Sequence, residues 1–330
     1  MKDLSIEYLG LKLKNPVVAA SSGLTGNLDG IKTLEKSGVA AVVLKSIFEE
    51  EILLETTQQI SEAEKNPLIY SSMSETLDYI DRHIRENNLG IYLELIAEAK
   101  KSVQIPIIGS INCVTNEDWM HFAKKIEDAG ADAIELNLFL HPGDFQNKEF
   151  EKAYFRIIKK VLEKVSIPVS IKISKYFTRM GLSVKALSES GVSGIVLFNR
   201  FFTPDIDIDK ITLTGGNILS TPQEQSETLR WIAIMSHKVS CDLAASTGIH
   251  TGKDVIKMLL AGATVTQVAS TLYKNGPDQV KRILIKMERW MTEKGFDSVS
   301  EFRGLVSKAY EANPATFDRM QFMKQFSEIG

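Results

Sequence analysis

The sequence predicts one α/β domain in which strands and helices alternate eight times and the strands close into a (β/α)8 barrel. Three observations predict this class: a repeated unit of helix, glycine and strand; eight β-rich runs; and no Gly-x-Gly-x-x-Gly phrase behind any of them. The alternation alone also permits an open, doubly wound sheet, but the strand count and the missing phrase favour closure. A length of 330 residues suits one such domain.

Four glycines mark the repeated unit, and each follows a charged amphipathic stretch and precedes a β-rich run. Glycine adopts the left-handed conformation that ends a helix, so each unit is predicted as helix, cap and strand. The four units are Gly38 before AVVLKS, Gly130 before AIELNL, Gly191 before GIVLFN and Gly262 before TVTQVAS. Proline suits the first residue of a strand. The other four strands follow Pro16, Pro106, Pro168 and Ser240.

These signals place the strands roughly at residues 15–22, 40–46, 106–112, 133–139, 169–174, 194–199, 241–247 and 265–271. Helical periodicity predicts helices at 117–129, 150–165, 184–190, 223–236, 253–261 and 277–294. The barrel core therefore spans about 15–295, within a single domain that covers 1–330.

Three segments depart from the simple alternation. The phrase LSIEYLGLKLKNP predicts a β-hairpin around Leu9-Gly10 that covers the N-terminal mouth of the barrel. Residues 48–100 after strand 2 and 201–221 after strand 6 are too long for simple connections. Such excursions on the C-terminal face commonly shape a site. The polar tail at about 307–330 suggests no role.

Composition narrows the function classes. The formal charge of −3 gives no sign of nucleic-acid binding, and no run of about 18 apolar residues predicts a membrane span. The first residues lack the basic and apolar regions of a signal peptide, so we expect a cytoplasmic protein with a small-molecule partner. The two cysteines, Cys113 and Cys241, lie far apart, which argues against disulfides and thiolate metal sites. Each is more simply a buried apolar residue than a reactive one.

Polar residues end the predicted strands, where barrel enzymes carry their chemistry. They are Ser21, Ser22, Lys45, Ser46, Asn112, Asn137, Lys172, Asn199, Ser246, Thr247 and Ser270. Alternatively, these residues are polar only because the rim of the barrel is exposed to solvent. Lys172 stands out, because alternation along VSIKIS points it into the barrel, where an ammonium needs a partner. It is either a site residue or one half of an internal ion pair with Glu135. Lys45 is likewise either a site or a rim residue.

The loops after strands 7 and 8 suggest a phosphate site. Gly248 and Ile249 follow strand 7, and Ser270 and Thr271 follow strand 8. Small residues there let backbone N–H groups and a helix N-terminus face an anion. Combined with an inward lysine and several asparagines, this predicts a pocket for a phosphorylated, heteroatom-rich ring such as FMN.

The phrases NPVVAASSG, VVLKS, GSIN, ELNL, SIKIS, VLFN, STGIHTGKDVIKMLLAGATVTQVAS and KGFDSVSEFRG resemble, in order from about residue 4 to 307, the class 1 dihydroorotate dehydrogenases. These are FMN-dependent barrel oxidoreductases of pyrimidine synthesis. The resemblance implies that Ala20, Ser21, Gly23, Lys45, Ser46, Asn112, Asn137 and Lys172 contact the flavin or line the site. Lys172 would stabilise negative charge on the reduced flavin, and Gly248, Ile249, Ser270 and Thr271 would hold the phosphate. Substrate contacts would come from Lys45, Asn137, Asn199, Arg200 and Ser72.

The substrate half departs from the family pattern. Leu140 stands where soluble members carry a cysteine base, and Pro142 replaces a substrate-binding asparagine. His141 is the candidate replacement base, because its unperturbed pKa near 6.5 suits proton transfer, although it could also be an exposed loop residue. Ser72 and Ser74 are weaker candidates. Arg200 could bind a carboxylate or reach solvent.

The first hypothesis is an FMN-dependent dehydrogenase acting on dihydroorotate or a related small anionic heterocycle. The resemblance implies either a dimer or pairing with an iron–sulfur subunit, and we expect a homodimer. A second is a barrel aldolase in which Lys172 forms a Schiff base. A third is a flavin-binding paralogue without dehydrogenase activity, which the missing cysteine makes credible.

Overall fold

The computed structural model describes residues 2–48, 73–112, 118–138, 150–201 and 203–307. Within these ranges eight parallel strands form a closed barrel, because the second barrel strand pairs with both the first and the third. The predicted (β/α)8 barrel is thus confirmed. In chain order the strands are β1 (Ile6–Tyr8), β2 (Leu11–Leu13), β3 (Val17–Ala19), β4 (Ala41–Val43), β5 (Ile47–Phe48), β6 (Ile107–Asn112), β7 (Ala133–Leu138), β8 (Val169–Ile173), β9 (Gly194–Leu197), β10 (Pro204–Asp207), β11 (Thr212–Gly215), β12 (Asp242–Ser246) and β13 (Val265–Val268). The barrel consists of β3, β4, β6, β7, β8, β9, β12 and β13, and the short β5 pairs with the end of β6.

The helices that surround the barrel include the six predicted ones, each close to its predicted position. They are α1 (Leu28–Ser37), α2 (Met73–Ser102), α3 (Asp118–Asp128), α4 (Phe150–Leu162), α5 (Met180–Ser188), α6 (Gln225–Met235), α7 (Gly252–Leu260), α8 (Ser270–Asn275), α9 (Gln279–Lys294) and α10 (Val299–Phe302). The four glycines of the repeated unit all have positive φ, between 95° and 108°. The helix–glycine–strand reasoning is therefore confirmed at each of them.

The eighth barrel strand is shorter than predicted. It ends at Val268 rather than near residue 271, and Ser270 already begins α8. The neighbouring β3 ends at Ala19, which is the partner of Val268, so no strand continues beside residues 270–271 to hold them in the sheet. As a result Ser270 and Thr271 lie in the first turn of a helix.

The N-terminal hairpin fills the bottom of the barrel, as predicted. Tyr8, Leu9 and Leu13 are buried against inward-facing strand residues that include Val18 and Val265. The two turn residues both have positive φ, 55° at Leu9 and 73° at Gly10, which gives a tight two-residue turn. The backbone N–H of Leu9 donates to Asp242 Oδ2 at 2.8 Å. Burial and this hydrogen bond hold leucine in a conformation that it rarely adopts.

Close approach at the hairpin depends on a glycine in β9. A Cβ added to Gly194 would lie 2.6 Å from Leu9 Cδ2. Real carbon atoms do not come so close without strain, so any larger residue would displace the hairpin. The hairpin therefore fits the barrel through one position that has no side chain.

The excursion after strand 6 contains an exposed two-stranded ribbon, β10 and β11. Ile206 and Leu213 are cross-strand partners, and they are 63% and 79% exposed. Ile208 and Ile211, near the turn of the ribbon, are exposed as well. Clustered exposed aliphatic side chains indicate an interaction surface more often than a solvated one.

Candidate active site

A cavity of about 280 Å³ opens at the C-terminal ends of the barrel strands. The residues singled out in the sequence that line it are Ala20, Ser21, Ser46, Asn137, Lys172, Asn199, Arg200, Ser246, Thr247, Gly248, Ile249 and Ser270. Chemistry in barrels of this kind is carried at this face, so the lining is a candidate active site. Among the described residues, the strand ends thus meet around one space.

The Lys172 side chain points into the barrel and is 11% exposed. Its Nζ donates to Gln267 Oε1 at 3.3 Å and lies 3.9 Å from Glu135 Oε1. Gln267 Nε2 in turn donates to Glu135 Oε2. Glu135 is 1% exposed, so its carboxylate depends on these two neighbours for compensation. Lys172 was expected to be either a site residue or one half of an ion pair with Glu135. Both descriptions apply, since the lysine lines the cavity and also faces the glutamate.

Two further hydrogen-bonded groups shape the cavity wall. Asn199 Nδ2 donates to Asn137 Oδ1 at 2.5 Å and to the Lys172 carbonyl at 3.3 Å. On the opposite side, the Ser46 hydroxyl lies 3.1 Å from Ser21 Oγ and 2.7 Å from Ser110 Oγ. These contacts fix the orientation of polar side chains before any ligand arrives, which is what a preorganised site requires.

The end of the cavity near β12 and α8 presents hydrogen-bond donors. Gly248 has φ of 75°, and a Cβ there would lie 2.3 Å from the Gln225 backbone nitrogen, so only glycine fits. The Gly248 N–H points at Ser220 Oγ, 3.3 Å away, and Lys274 Nζ donates to the Ser220 carbonyl at 2.7 Å. Ser220 N donates to Ser270 Oγ at 2.9 Å. The Gly248 N–H and the Lys274 ammonium therefore both donate to oxygen atoms of Ser220, in the wall of the cavity.

His250 is buried behind this end of the cavity. Its Nε2 lies 3.3 Å from Ser220 Oγ, and its backbone N–H donates to Asp254 Oδ2. The pKa of His250 lies below its ordinary value, mainly because the ring is buried and secondly because the Lys274 ammonium is near. The imidazole is consequently neutral at neutral pH.

Arg200 lines the cavity but is held by the protein itself. Its Nε donates to Glu224 Oε2 at 2.8 Å, and its terminal nitrogens donate to the carbonyls of Ile218 and Asn217. The arginine thereby fastens the segment after β11 to the barrel. A carboxylate ligand would have to use the remaining N–H groups, since the Nε edge is taken.

Other predicted residues lie beside the cavity or outside the described ranges. Lys45 is exposed next to Gly26, Asn112 is buried at the end of β6, and Gly23 is at the rim, where an added Cβ would lie 2.8 Å from the Tyr273 hydroxyl. Thr271 is buried, and its Oγ1 donates to the His250 carbonyl at 3.0 Å.

The residues outside the described ranges are Ser72, Cys113, Leu140, His141 and Pro142. Cys241 is partly buried, and burial raises the pKa of its thiol to about 12.

Sequence reasoning missed Gln267, Ser220, Tyr273 and Lys274. Gln267 could have been found, because it alternates with Val265 and Ala269 on an apolar strand and a buried amide there needs partners. Ser220 comes from the long excursion after strand 6, whose path no periodicity predicts. Tyr273 and Lys274 were hidden because residues up to 271 were assigned to a strand.

Two further structural findings concern the described ranges alone. None of their helices has both the length and the apolar character needed to cross a lipid bilayer. Their histidine, cysteine and acidic side chains form no group of three that could hold a metal ion.

The fold and the cavity define a barrel enzyme with a cation on the inner wall of its polar mouth. Comparison with known proteins gives the family. A family model described as dihydroorotate dehydrogenase matches residues 3–291. The chain therefore belongs to the dihydroorotate dehydrogenase family, whose members are flavin-dependent oxidoreductases that act on CH–CH bonds. The resemblance read from the sequence is confirmed.

Relatives with similar sequences extend over nearly the whole chain. A protein of Thermoplasma volcanium named dihydroorotate dehydrogenase B (NAD(+)), catalytic subunit, is 28% identical over 322 residues, which cover 93% of this chain and 100% of its own. A protein of the same name from Caldicellulosiruptor saccharolyticus is 28% identical and covers 92% and 99%. A putative dihydroorotate dehydrogenase A (fumarate) of Aeropyrum pernix is 25% identical and covers 93% and 98%.

Proposed function

We propose that this chain binds FMN in the cavity at the C-terminal face and oxidises dihydroorotate, or a closely related small anionic heterocycle. The observation that carries the proposal is the Lys172 ammonium on the inner wall, with an amide acceptor at 3.3 Å and a buried carboxylate at 3.9 Å. An ammonium that is largely shielded from water in a cavity stabilises negative charge that develops beside it.

The donor set fits a phosphorylated ring. The Gly248 N–H is already aimed at an oxygen acceptor, Ser220 Oγ, and the N–H groups of Ser270 and Thr271 lie in the first turn of α8, at the positive end of its dipole. Lys274 adds a positive charge at the same end. Gly248, Ile249, Ser270 and Thr271 would hold the phosphate. Ala20, Ser21, Gly23, Ser46 and Asn112 would border the ring.

FMN, when bound, would supply a two-electron acceptor. Oxidation of dihydroorotate removes a proton from C5 and a hydride from C6, so one base and one hydride acceptor balance the reaction. Lys172 would compensate the added negative charge, with Lys45 at the edge of the site. Asn137 and Asn199 would bind the substrate, because the Asn199 amide fixes the Asn137 carbonyl and leaves the Asn137 NH2 group for a ligand. Arg200 and Ser72 would complete the substrate contacts.

His141 is the proposed base, and the prediction rests on the sequence because this residue lies outside the described ranges. Replacing His141 with alanine should slow flavin reduction by dihydroorotate at least about 100-fold, the low end of general-base contributions. Stopped-flow bleaching of bound FMN under anaerobic conditions measures this rate. The matched control is His121→Ala, an exposed histidine on α3, which should leave the rate unchanged. An unaltered rate in His141→Ala would remove that residue from the mechanism.

The absorbance spectrum of the purified protein tests the function as a whole. We expect a flavin band that bleaches on anaerobic addition of dihydroorotate. A flavin band without bleaching would support the paralogue, and a colourless protein that takes up no added FMN would refute the proposal. The aldolase alternative is not favoured, because the chain belongs to a flavin-dependent family.

We further propose a cytoplasmic homodimer of single-domain subunits, although two of the relatives are named catalytic subunits, which implies a separate partner for those proteins. The exposed ribbon supports a protein contact, since Ile206 and Leu213 offer an apolar face. Light scattering should give twice the chain mass for the wild type. It should give the chain mass for Ile206→Asp/Leu213→Asp, and an unchanged mass would exclude the ribbon as the contact.

A further inference from the structure

Gln267 lies between two opposite charges inside the barrel. Its carbonyl oxygen accepts from Lys172 Nζ at 3.3 Å, and its NH2 group donates to Glu135 Oε2. The side chain is 2% exposed, so no bulk water competes for either end. The amide has only one orientation that suits both neighbours, because a carboxylate accepts hydrogen bonds and an ammonium donates them.

The two charges do not touch. Glu135 Oε1 accepts no hydrogen bond within the described ranges, and it lies 3.9 Å from Lys172 Nζ. A charge-assisted hydrogen bond between these groups would close to about 2.8 Å. The gap is therefore about 1 Å longer than direct pairing would give, although attraction at this depth is strong. Gln267 hydrogen-bonds to both partners, so its amide links the two charges while they stay apart.

We propose that Gln267 is a positioning residue that keeps the Lys172 ammonium raised toward the cavity by preventing its collapse onto Glu135. The inference rests on the proposed function, because the raised ammonium matters only if a flavin binds above it. Without the amide, the lysine would pair with Glu135 and withdraw from the cavity by about 1 Å. The barrel would remain intact, but the charge would act from farther away.

The test is a double-mutant cycle read by the midpoint potential of bound FMN. Gln267→Met keeps the side-chain volume and removes both hydrogen bonds. Moving a unit charge by about 1 Å at an effective dielectric constant near 20 changes an equilibrium about tenfold. We therefore expect the reduction equilibrium to shift about tenfold toward oxidised flavin, a lowering of about 30 mV for a two-electron couple.

The same substitution should have little effect where the carboxylate is absent. In the Glu135→Gln background, Gln267→Met should shift the equilibrium by less than about threefold, because no charge remains to draw the lysine down. Equal shifts in both backgrounds, or none in either, would overturn the proposal. A merely structural glutamine would give equal shifts, since its loss would not depend on the charge of Glu135.

Two additional measurements keep the inference separable from the proposed function. If Gln267→Met fails to fold, Gln267→Asn keeps the amide on a shorter stem and should give a smaller shift with the same background dependence. A crystal structure of the variant tests the positions without any flavin, and the distance from Lys172 Nζ to Glu135 Oε1 should fall from 3.9 Å into hydrogen-bonding range. An unchanged distance would refute the positioning role. Failure of the wild type to bind FMN would instead refute the proposed function.

Discussion

The lower and upper halves of the barrel interior are built from the same strands but have opposite chemistry. Below, inward residues such as Ile108, Ala133 and Val265 pack on the N-terminal hairpin and exclude water. Two positions further along the same strands stand Ser110, Glu135 and Gln267, which are buried and polar. Because inward positions recur every second residue, one pleat separates the two halves. Stability and chemistry are thus assigned to successive layers of one sheet.

Among the substitutions considered, the largest effect on rate is expected in the upper half of the barrel interior. Replacing Lys172 with methionine should slow flavin reduction by dihydroorotate about 100- to 1,000-fold, the usual loss when one preorganised charge-stabilising group is removed. Stopped-flow absorbance measures the rate. Lys175→Met is the matched control, because this lysine lies just beyond β8 and forms an exposed ion pair with Glu227. Comparable losses in both variants would remove the special role of the inward lysine.

The lower half should respond in stability rather than in rate. We expect Gly194→Ala to destabilise the protein by about 1–3 kcal/mol, because the new Cβ would overlap Leu9 Cδ2. The folded fraction should bind flavin and react as the wild type does.

Urea unfolding of the same protein gives the free energy. Gly90→Ala on α2 is the control, because nothing lies within 4 Å of its added Cβ and alanine favours helices by about 0.5–1 kcal/mol. If the Gly194 variant loses catalytic rate at unchanged stability, the two halves are not separate.

A smaller effect is expected on the pH dependence of stability, through His250 in the upper half. The pKa of His250 is lowered in the folded protein, so the unfolded chain binds more protons on this residue. Its contribution to stability should therefore be complete above pH 6.5 and decline as pH falls through the lowered pKa, by at most about 1.4 kcal/mol per pH unit. Unfolding of wild type and His250→Asn from pH 8 to pH 5 measures the difference. A difference independent of pH would contradict the assignment.

The smallest effect is expected where the two halves meet, at Tyr8. Burial and the Glu135 carboxylate raise the pKa of this phenol and the nearby Ser170 side chain opposes the shift, but within the described ranges the hydroxyl makes no hydrogen bond of normal geometry. Tyr8→Phe removes an unsatisfied buried group, so it should stabilise the protein by up to about 1 kcal/mol. Thermal unfolding checks the sign. A loss of stability would show that the hydroxyl binds a partner such as a buried water molecule.

The sequence predicted most of the lower half and part of the upper half. Gly38, Gly130, Gly191 and Gly262 each ended a helix as expected, because positive φ is a local property that one residue type reveals. The inward direction of Lys172 followed from strand alternation in the same way. These inferences needed no knowledge of other segments.

The remaining features depend on contacts between distant segments. The role of Gln267 depends on Glu135, which is 132 residues away, and Ser220 is held against Ser270, 50 residues away. No periodicity encodes such pairs. The end of β13 was predicted too late for the same reason, since it is set by where β3 ends rather than by the local sequence.

The closure of the barrel between β3 and β13 has a consequence for how the chain folds. The hydrogen bond from Thr266 Oγ1 to the Pro16 carbonyl joins residues 250 positions apart, and Asp3 forms a bridge with Ser298 beneath it. During synthesis the first segment must wait for nearly the entire polypeptide before its partners emerge from the ribosome. Contacts of such long range form slowly, so the seam should be the last part of the cylinder to gain protection in pulse-labelling hydrogen exchange.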